Sequence, residues 1–233
     1  MDNKVIYDDR ADGLRSFYNK IYGLMGMGVL MSAVVSYIMI AFFANNLVSI
    51  VSSLGYGMIL LFLVPLLLVV PVQRAALKNS PFALPLFIGF SAFWGFELSF
   101  ILLTYTASNV TFAFLTAAGM FFGLSIYGRL TKRNLSGVGK VASAAVIGLI
   151  IAMVLNMFIP NSGFTLIISL IGVLVFSGLI AWDNQKIESL YNSQNGNVQE
   201  GWAVSMALML YLDFINLFLF LLRIFGIGGS SRS

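Results

Sequence analysis

The chain has 233 residues, of which 59% are hydrophobic and only 9% charged, with a mean hydropathy of +0.94. That leaves too little polar surface to cover a water-soluble globule of this length, so lipid is the expected solvent. With no Cys and no His, disulfides, thiolate or imidazole metal sites, thiol nucleophiles and Ser-His or Cys-His catalytic pairs are excluded. The formal net charge of +4 is assigned to membrane topology and contact with anionic headgroups, not to nucleic acid.

The first twenty residues mix Asp2, Asp8, Asp9 and Asp12 with Lys4, Arg10, Arg15 and Lys20 and have no apolar core. They read as a soluble cytosolic tail (1–20), not as a cleavable signal peptide. About twenty apolar residues cross a hydrocarbon core of roughly 30 Å as a helix. Seven such stretches follow: Ile21–Phe43, Val51–Val72, Phe82–Tyr105, Val110–Leu130, Val141–Ile159, Phe164–Trp182 and Trp202–Phe225. Their length and the lack of a two-residue alternation rule out strands. The expected architecture is an all-α bundle of seven transmembrane helices forming one domain over residues 21–226, with a C-terminal tail at 227–233.

Basic residues set the direction of these crossings. Arg74 and Lys78, then Arg129, Lys132, Arg133 and Lys140, then Lys186, fall in alternate gaps, while the gaps at Asn45–Asn46, Ser108–Asn109 and Asn161–Ser162 carry no charge. Cytoplasmic loops retain Lys and Arg, so the pattern places the N-terminus in the cytosol of an inner or organellar membrane. Pro65 and Pro71 are expected to kink the second helix or mark its inner end. Glycines at 23, 26, 28, 119, 123, 172 and 178, with Ser177, are expected at close helix contacts. The polar stretch Asn192–Gln199 reads as a mobile loop. The seventh segment, interrupted by Asp213 and Asn216 and closed by Arg223, is read as spanning, with re-entry as the alternative; spanning puts Arg232 outside.

Ionisable groups inside a span are costly unless paired or wetted, which makes them the strongest functional signal here. Three acids qualify: Glu97, Asp183 and Asp213. Asp183 stands at the cytosolic end of segment six, where pairing with Lys186 is the bland alternative. Asp213 lies about 16 Å along segment seven at 1.5 Å per residue, near mid-bilayer, and shares a helix face with Asn216 and more loosely with Arg223. Should the two aspartates meet, they form a proton-operated latch: protonated, they share a hydrogen bond; ionised, they repel and offer hard oxygen ligands to a cation such as calcium. Counted from the apolar boundaries, Asp183 sits too near the surface for that meeting unless segment seven begins lower or segment six continues to about Leu190. Glu97, with Trp94 and Ser99 nearby, is either a carboxyl bonded to a neighbouring helix or a cation-attracting group in the outer half of a pathway.

Three motifs carry a family resemblance: Thr131-Lys132-Arg133-Asn134-Leu135-Ser136-Gly137, Trp182-Asp183-Asn184-Gln185-Lys186-Ile187, and Leu210-Tyr211-Leu212-Asp213-Phe214-Ile215-Asn216 with Leu221-Leu222-Arg223. From Arg15 to Gly226 the chain resembles the Bax inhibitor-1 family of membrane proteins, its bacterial branch most closely. The resemblance implies a seven-helix bundle in the bacterial inner membrane with the last helix at the centre, and a pH-gated calcium leak whose sensing pair is Asp183 and Asp213. It further implies a basic lock on that pair at the inner end of segment two, where Arg74 is the candidate, and no bound prosthetic group. An acid at the position of Glu97 departs from the family pattern.

Rival classes differ in the residues they need. An intramembrane aspartyl protease also sets one Asp on each of two late helices, yet such enzymes share a Gly-x-Gly-Asp motif, and here Leu210-Tyr211-Leu212 precedes Asp213. No Lys lies inside a span to hold retinal. A non-conducting regulator that binds another membrane protein, such as a membrane-bound protease, fits the sequence as well, so the buried acids alone favour the channel.

Overall fold

The computed structural model describes the backbone of residues 2–159 and 161–230 and the side chains of 12–227 other than 56 and 160. Among these residues every regular element is helical: α1 (Asp2–Leu54), a 3-10 turn at Gly55–Gly57, α2 (Met58–Leu77), α3 (Ala83–Leu102), α4 (Ala107–Leu130), α5 (Ser136–Phe158), α6 (Ser162–Ser193) and α7 (Glu200–Ser230). Seven helices are long and apolar enough to cross a membrane, in the expected number and order. Arg232 lies outside the described residues.

Several boundaries differ from the sequence reading. The tail before Ile21 continues α1 as helix from Asp2. Asn45–Asn46 is no loop: α1 runs on to Leu54 with a kink at Phe43 (φ −125°, ψ 19°), and the chain reverses at Gly55–Gly57, where Gly55 takes φ +50°, a conformation glycine adopts without steric cost. Neither Pro65 nor Pro71 ends α2, which runs through both as one helix; the third crossing stops at Leu102, short of Tyr105. The largest difference is α6, which continues eleven residues past Trp182 to Ser193. Ile187 and Tyr191 are buried along that extension, in line with buried Ile180 before it, and their spacing gives one apolar stripe that stabilises the helix beyond the hydrophobic run.

The stretch expected to be a mobile loop is instead a hydrogen-bonded helix stop. Asn195 sits at φ 51°, Gly196 N–H donates to Tyr191 O and Asn195 N–H to Asn192 O, the paired bonds of a left-handed C-terminal cap. α2 ends the same way: Asn79 has φ 50°, with Ser80 N–H on Ala75 O and Asn79 N–H on Ala76 O. α7, despite Asp213 and Asn216, is a single helix of 31 residues, roughly 46 Å long, with no break at which it could turn back.

The chain forms two compact units, one of residues 1–101 with 186–211 and the other of 102–185 with 212–233. In the first, α1 and α3 approach through small residues four apart, Gly28, Ser32 and Ser36 against Ser91 and Gly95. Ser32 Oγ donates to Ser91 O (2.7 Å) and Ser36 Oγ to Gly95 O (2.9 Å); a Cβ on Gly95 would stand 2.6 Å from Ser32 O. Tyr211 adds its hydroxyl to Ser32 Oγ at 2.6 Å and its ring edge-on to Phe87 and Phe90. The start of α7 is tied to the end of α2: Asn79 Oδ1 accepts from Gly201 N–H (2.8 Å) and Gln73 Nε2 donates to Ser205 Oγ (2.6 Å). Glu97 is fully buried on α3, and neither carboxyl oxygen has a hydrogen-bond partner among the described residues, which discards the reading of a carboxyl bonded to a neighbouring helix.

In the second unit, Ala113, Ala117, Phe121, Ser125 and Gly128 form the buried stripe of α4. Gly128 lies against the Ala181 carbonyl of α6, Gly139 of α5 lies beneath the Trp182 indole, and Gly172 lies against the Phe220 ring. Such contacts hold helices together where lipid supplies no hydrophobic drive between them. Gly23, Gly26, Gly119 and Gly123, expected at contacts, are instead exposed with nothing within 4 Å of an added Cβ; on α4 they fall off the buried stripe. α7 is the most buried helix, 83% of its apolar window against 11–44% for the others.

Two stability outcomes follow. Gly128→Ala forces a methyl onto the Ala181 carbonyl and lowers the unfolding free energy in detergent by about 1–3 kcal/mol, whereas Gly123→Ala on the same helix leaves it unchanged or slightly higher; equal losses in both would overturn the contact. Glu97→Leu removes two unsatisfied buried oxygens and raises stability by about 1–3 kcal/mol, measured by the same denaturation; a clear loss would reveal a partner for the carboxyl.

Candidate functional site

The motif around Asp183 is a clamp on the rotation of α6. Ala181 packs its carbonyl on Gly128 and Trp182 covers Gly139. Asn184 Nδ2 donates to Ser125 Oγ at 3.1 Å and to Ile180 O at 2.7 Å. Gln185 holds the α4–α5 connection with both ends of its amide, Oε1 accepting from Leu135 N–H (2.8 Å) and Nε2 donating to Arg133 O (2.8 Å). At 3.6 residues per turn, these four neighbours fan over about 160° on the side of α6 opposite Asp183. Asp183 itself lies on the other side of the helix and is buried, 3% exposed.

That side of α6 is the one that meets α7. Gly172 and Phe176, whose directions on α6 lie within about 20° of Asp183, both touch Phe220: Gly172 directly and Phe176 with ring centroids 5.8 Å apart. Seven residues, about two turns, separate Phe176 from Asp183 on α6 and Phe220 from Asp213 on α7. The helices are consecutive, and Phe176 and Phe220 stand at similar distances from the turn after Ser193, so the two run antiparallel. Stepping two turns from the Phe176–Phe220 contact toward that turn brings Asp183 and Asp213 to the same level on facing stripes. α4 supplies an independent gauge. Phe214 packs edge-on to Phe121 (5.8 Å), while Asn184 bonds Ser125 one turn further on; the residue after each aspartate thus meets α4 within about 6 Å of the other. Asp213 is also buried, 6% exposed. The obstacle of depth disappears because α6 extends to Ser193.

The other candidates fall elsewhere. Asn216 Nδ2 donates to Leu212 O of its own helix (2.8 Å). Arg223 is ten residues beyond Asp213, about 15 Å along the axis, with its guanidinium over Phe220. Glu97 and Arg74 belong to the first unit; Arg74, in the last turn of α2, is exposed. Among the described residues Arg74 has no ion pair. No group of three or more carboxylates occurs among the described residues. Calcium takes about six to eight oxygens, and two carboxylates supply at most four. Ser125 and the two-ended hold of Gln185 were not legible beforehand: serine is common in spans, and a glutamine does not announce its partner.

The family described as Inhibitor of apoptosis-promoting Bax1 matches residues 14–230. The uncharacterized protein YrjE of Lactococcus lactis subsp. lactis is 61% identical over 99% of both chains. An uncharacterized membrane protein of Streptococcus pyogenes serotype M1 is 50% identical over 97% of this chain and 99% of its own. The inner membrane protein YbhL of Escherichia coli is 36% identical over 92% of each. Seven apolar helices and these matches along nearly the whole length make this chain a member of the Bax inhibitor-1 family of multi-pass membrane proteins.

Proposed function

We propose that the chain is a pH-responsive cation leak, with calcium as its ion, gated by the Asp183–Asp213 pair, in a bacterial inner membrane with the N-terminus cytoplasmic. The facing register of the two buried acids supports this reading above all else. Two carboxyls in a dry place hold one proton between them as a hydrogen bond; without it they repel, and their oxygens become ligands for a hard cation. The joint so loosened is the α6–α7 contact. α6 is clamped to α4 and α5 through Gly128, Gly139, Ser125 and Gln185, so the strain of an ionised pair falls on α7. Charge-free connections alternating with basic ones support the orientation.

In proteoliposomes loaded with a calcium dye, the wild-type flux steps with pH, and Asp213→Asn and Asp183→Asn each flatten the step, because an amide holds its hydrogen bond at every pH. Flux equal to that of empty vesicles at all pH values would sink the leak and leave the regulator of another membrane protein. For orientation, the chain contains no Cys, so a single Ser230→Cys reports cleanly. It is labelled by a membrane-impermeant thiol reagent from the periplasmic or outer side; labelling from the cytoplasm alone would reverse the assignment of α7.

A further inference from the structure

A half-open cleft of about 170 Å³ lies in the second unit, lined by Met153, Asn156 and Met157 of α5, Thr165 and Ile168 of α6, and Arg223 of α7. It has room for about five waters' share of liquid volume. Asn156 and Thr165 stand within five residues of the α5–α6 turn, about 6–8 Å along their helices. If that turn is at the membrane surface, the cleft sits where hydrocarbon gives way to headgroups, a layer about 5–8 Å deep.

The polar groups of the cleft are unbalanced. Arg223 presents five N–H donors, yet its one hydrogen bond goes to a weak acceptor, Met153 Sδ at 3.2 Å from Nη1, with the face of Phe220 at 5.4 Å and the Tyr105 phenol as its other neighbour. No carboxylate among the described residues forms an ion pair with Arg223. On the opposite wall, Asn156 Nδ2 is committed to Thr165 Oγ1 (2.8 Å) and Thr165 in turn to Asn161 O (2.9 Å), which leaves Asn156 Oδ1 buried without a partner. The cleft thus offers a positive fork with spare donors, one spare acceptor, and a floor of methionine and isoleucine. An isolated carboxylate would leave Asn156 Oδ1 unmet. A phosphodiester whose headgroup also carries a donor meets both ends, its anionic oxygens on the guanidinium in the bidentate manner that arginine favours and its hydroxyl on Asn156 Oδ1, while acyl chains continue along the apolar wall.

We propose that this cleft is a phosphate site for the headgroup of an anionic, hydroxyl-bearing glycerophospholipid, phosphatidylglycerol in chemistry, held by Arg223 and selected by Asn156. The site is independent of the aspartate pair, and its test uses binding alone. The full-length protein is delipidated in detergent and titrated with phosphatidylglycerol, then phosphatidylcholine, under native mass spectrometry, with inorganic phosphate as competitor. Wild type retains one phosphatidylglycerol in preference to phosphatidylcholine. Arg223→Gln, checked for an unchanged melting temperature, binds it at least about tenfold more weakly, and Arg223→Lys falls between. Asn156→Leu binds both lipids alike, keeping phosphate recognition and losing headgroup choice. Competition by millimolar inorganic phosphate names a soluble phosphate as occupant of the same site, and its failure to compete names the lipid. Equal phosphatidylglycerol binding by wild type and both Arg223 variants, or none by wild type, overturns the proposal.

Discussion

The rotation of α6 about its own axis is the constraint on which the candidate site depends. A carboxyl at position 183 could point at lipid, at α4, at α5 or at α7, and the helix backbone does not choose among these. Gly128 and Gly139 choose, because each admits a backbone or an indole where any side chain would stand in the way, and Asn184 and Gln185 fix the choice with hydrogen bonds to Ser125 and to the α4–α5 connection. In lipid, where apolar side chains gain nothing by leaving their surroundings for one another, close packing and interhelical hydrogen bonds are what remain to set such angles. Three of the four residues of the motif Trp182-Asp183-Asn184-Gln185 thus fix how α6 sits against α4 and α5.

The same economy accounts for the first unit. Gly28, Ser32 and Ser36 repeat every four residues on α1, as do Phe87, Ser91 and Gly95 on α3, and the serines return their hydroxyls to carbonyls across the contact. Tyr211 inserts its hydroxyl into the same seam, so the α7 motif that carries Asp213 also carries, two residues earlier, an anchor of different character. One helix thus contributes to both units, Tyr211 as a fastening in the first and Asp213 as a titratable group in the second.

How much of this could be read from the residues alone varied with the physics involved. The number of crossings was legible because a span is set by length and apolarity, and both are local. Helix ends were less so: Asn45–Asn46 looked like a loop because it was polar, but polarity does not break a helix, and the turn waited for Gly55, where the backbone needs a positive φ. The extension of α6 to Ser193 was hidden because it leaves the hydrophobic run and continues on an amphipathic stripe of Ile187 and Tyr191. Which glycines pack was beyond reach, since Gly123 and Gly128 differ only in whether they fall on the α4 stripe of Phe121 and Ser125. The identities of the two aspartates were visible at once, because an acid in a span is conspicuous; their register was not, because it is fixed by Phe220 and Gly172, which look like any other apolar pair.

Polar side chains in this chain are distributed by shielding. α7 carries Ser205, Tyr211, Asp213, Asn216 and Arg223 along its apolar run, and it is also the helix least exposed. Those two facts have one cause. A charged or hydrogen-bonding side chain facing hydrocarbon costs several kcal/mol, and one enclosed by other helices costs less in proportion to the partners or water it finds there. The outer faces accordingly show Leu30, Phe42, Leu67, Leu130 and Leu174, residues that could be exchanged for one another with little consequence. A face that lipid does not reach is where an acid can be kept in such a fold: Asp213 on the enclosed α7, and Asp183 and Glu97 on buried positions of α6 and α3.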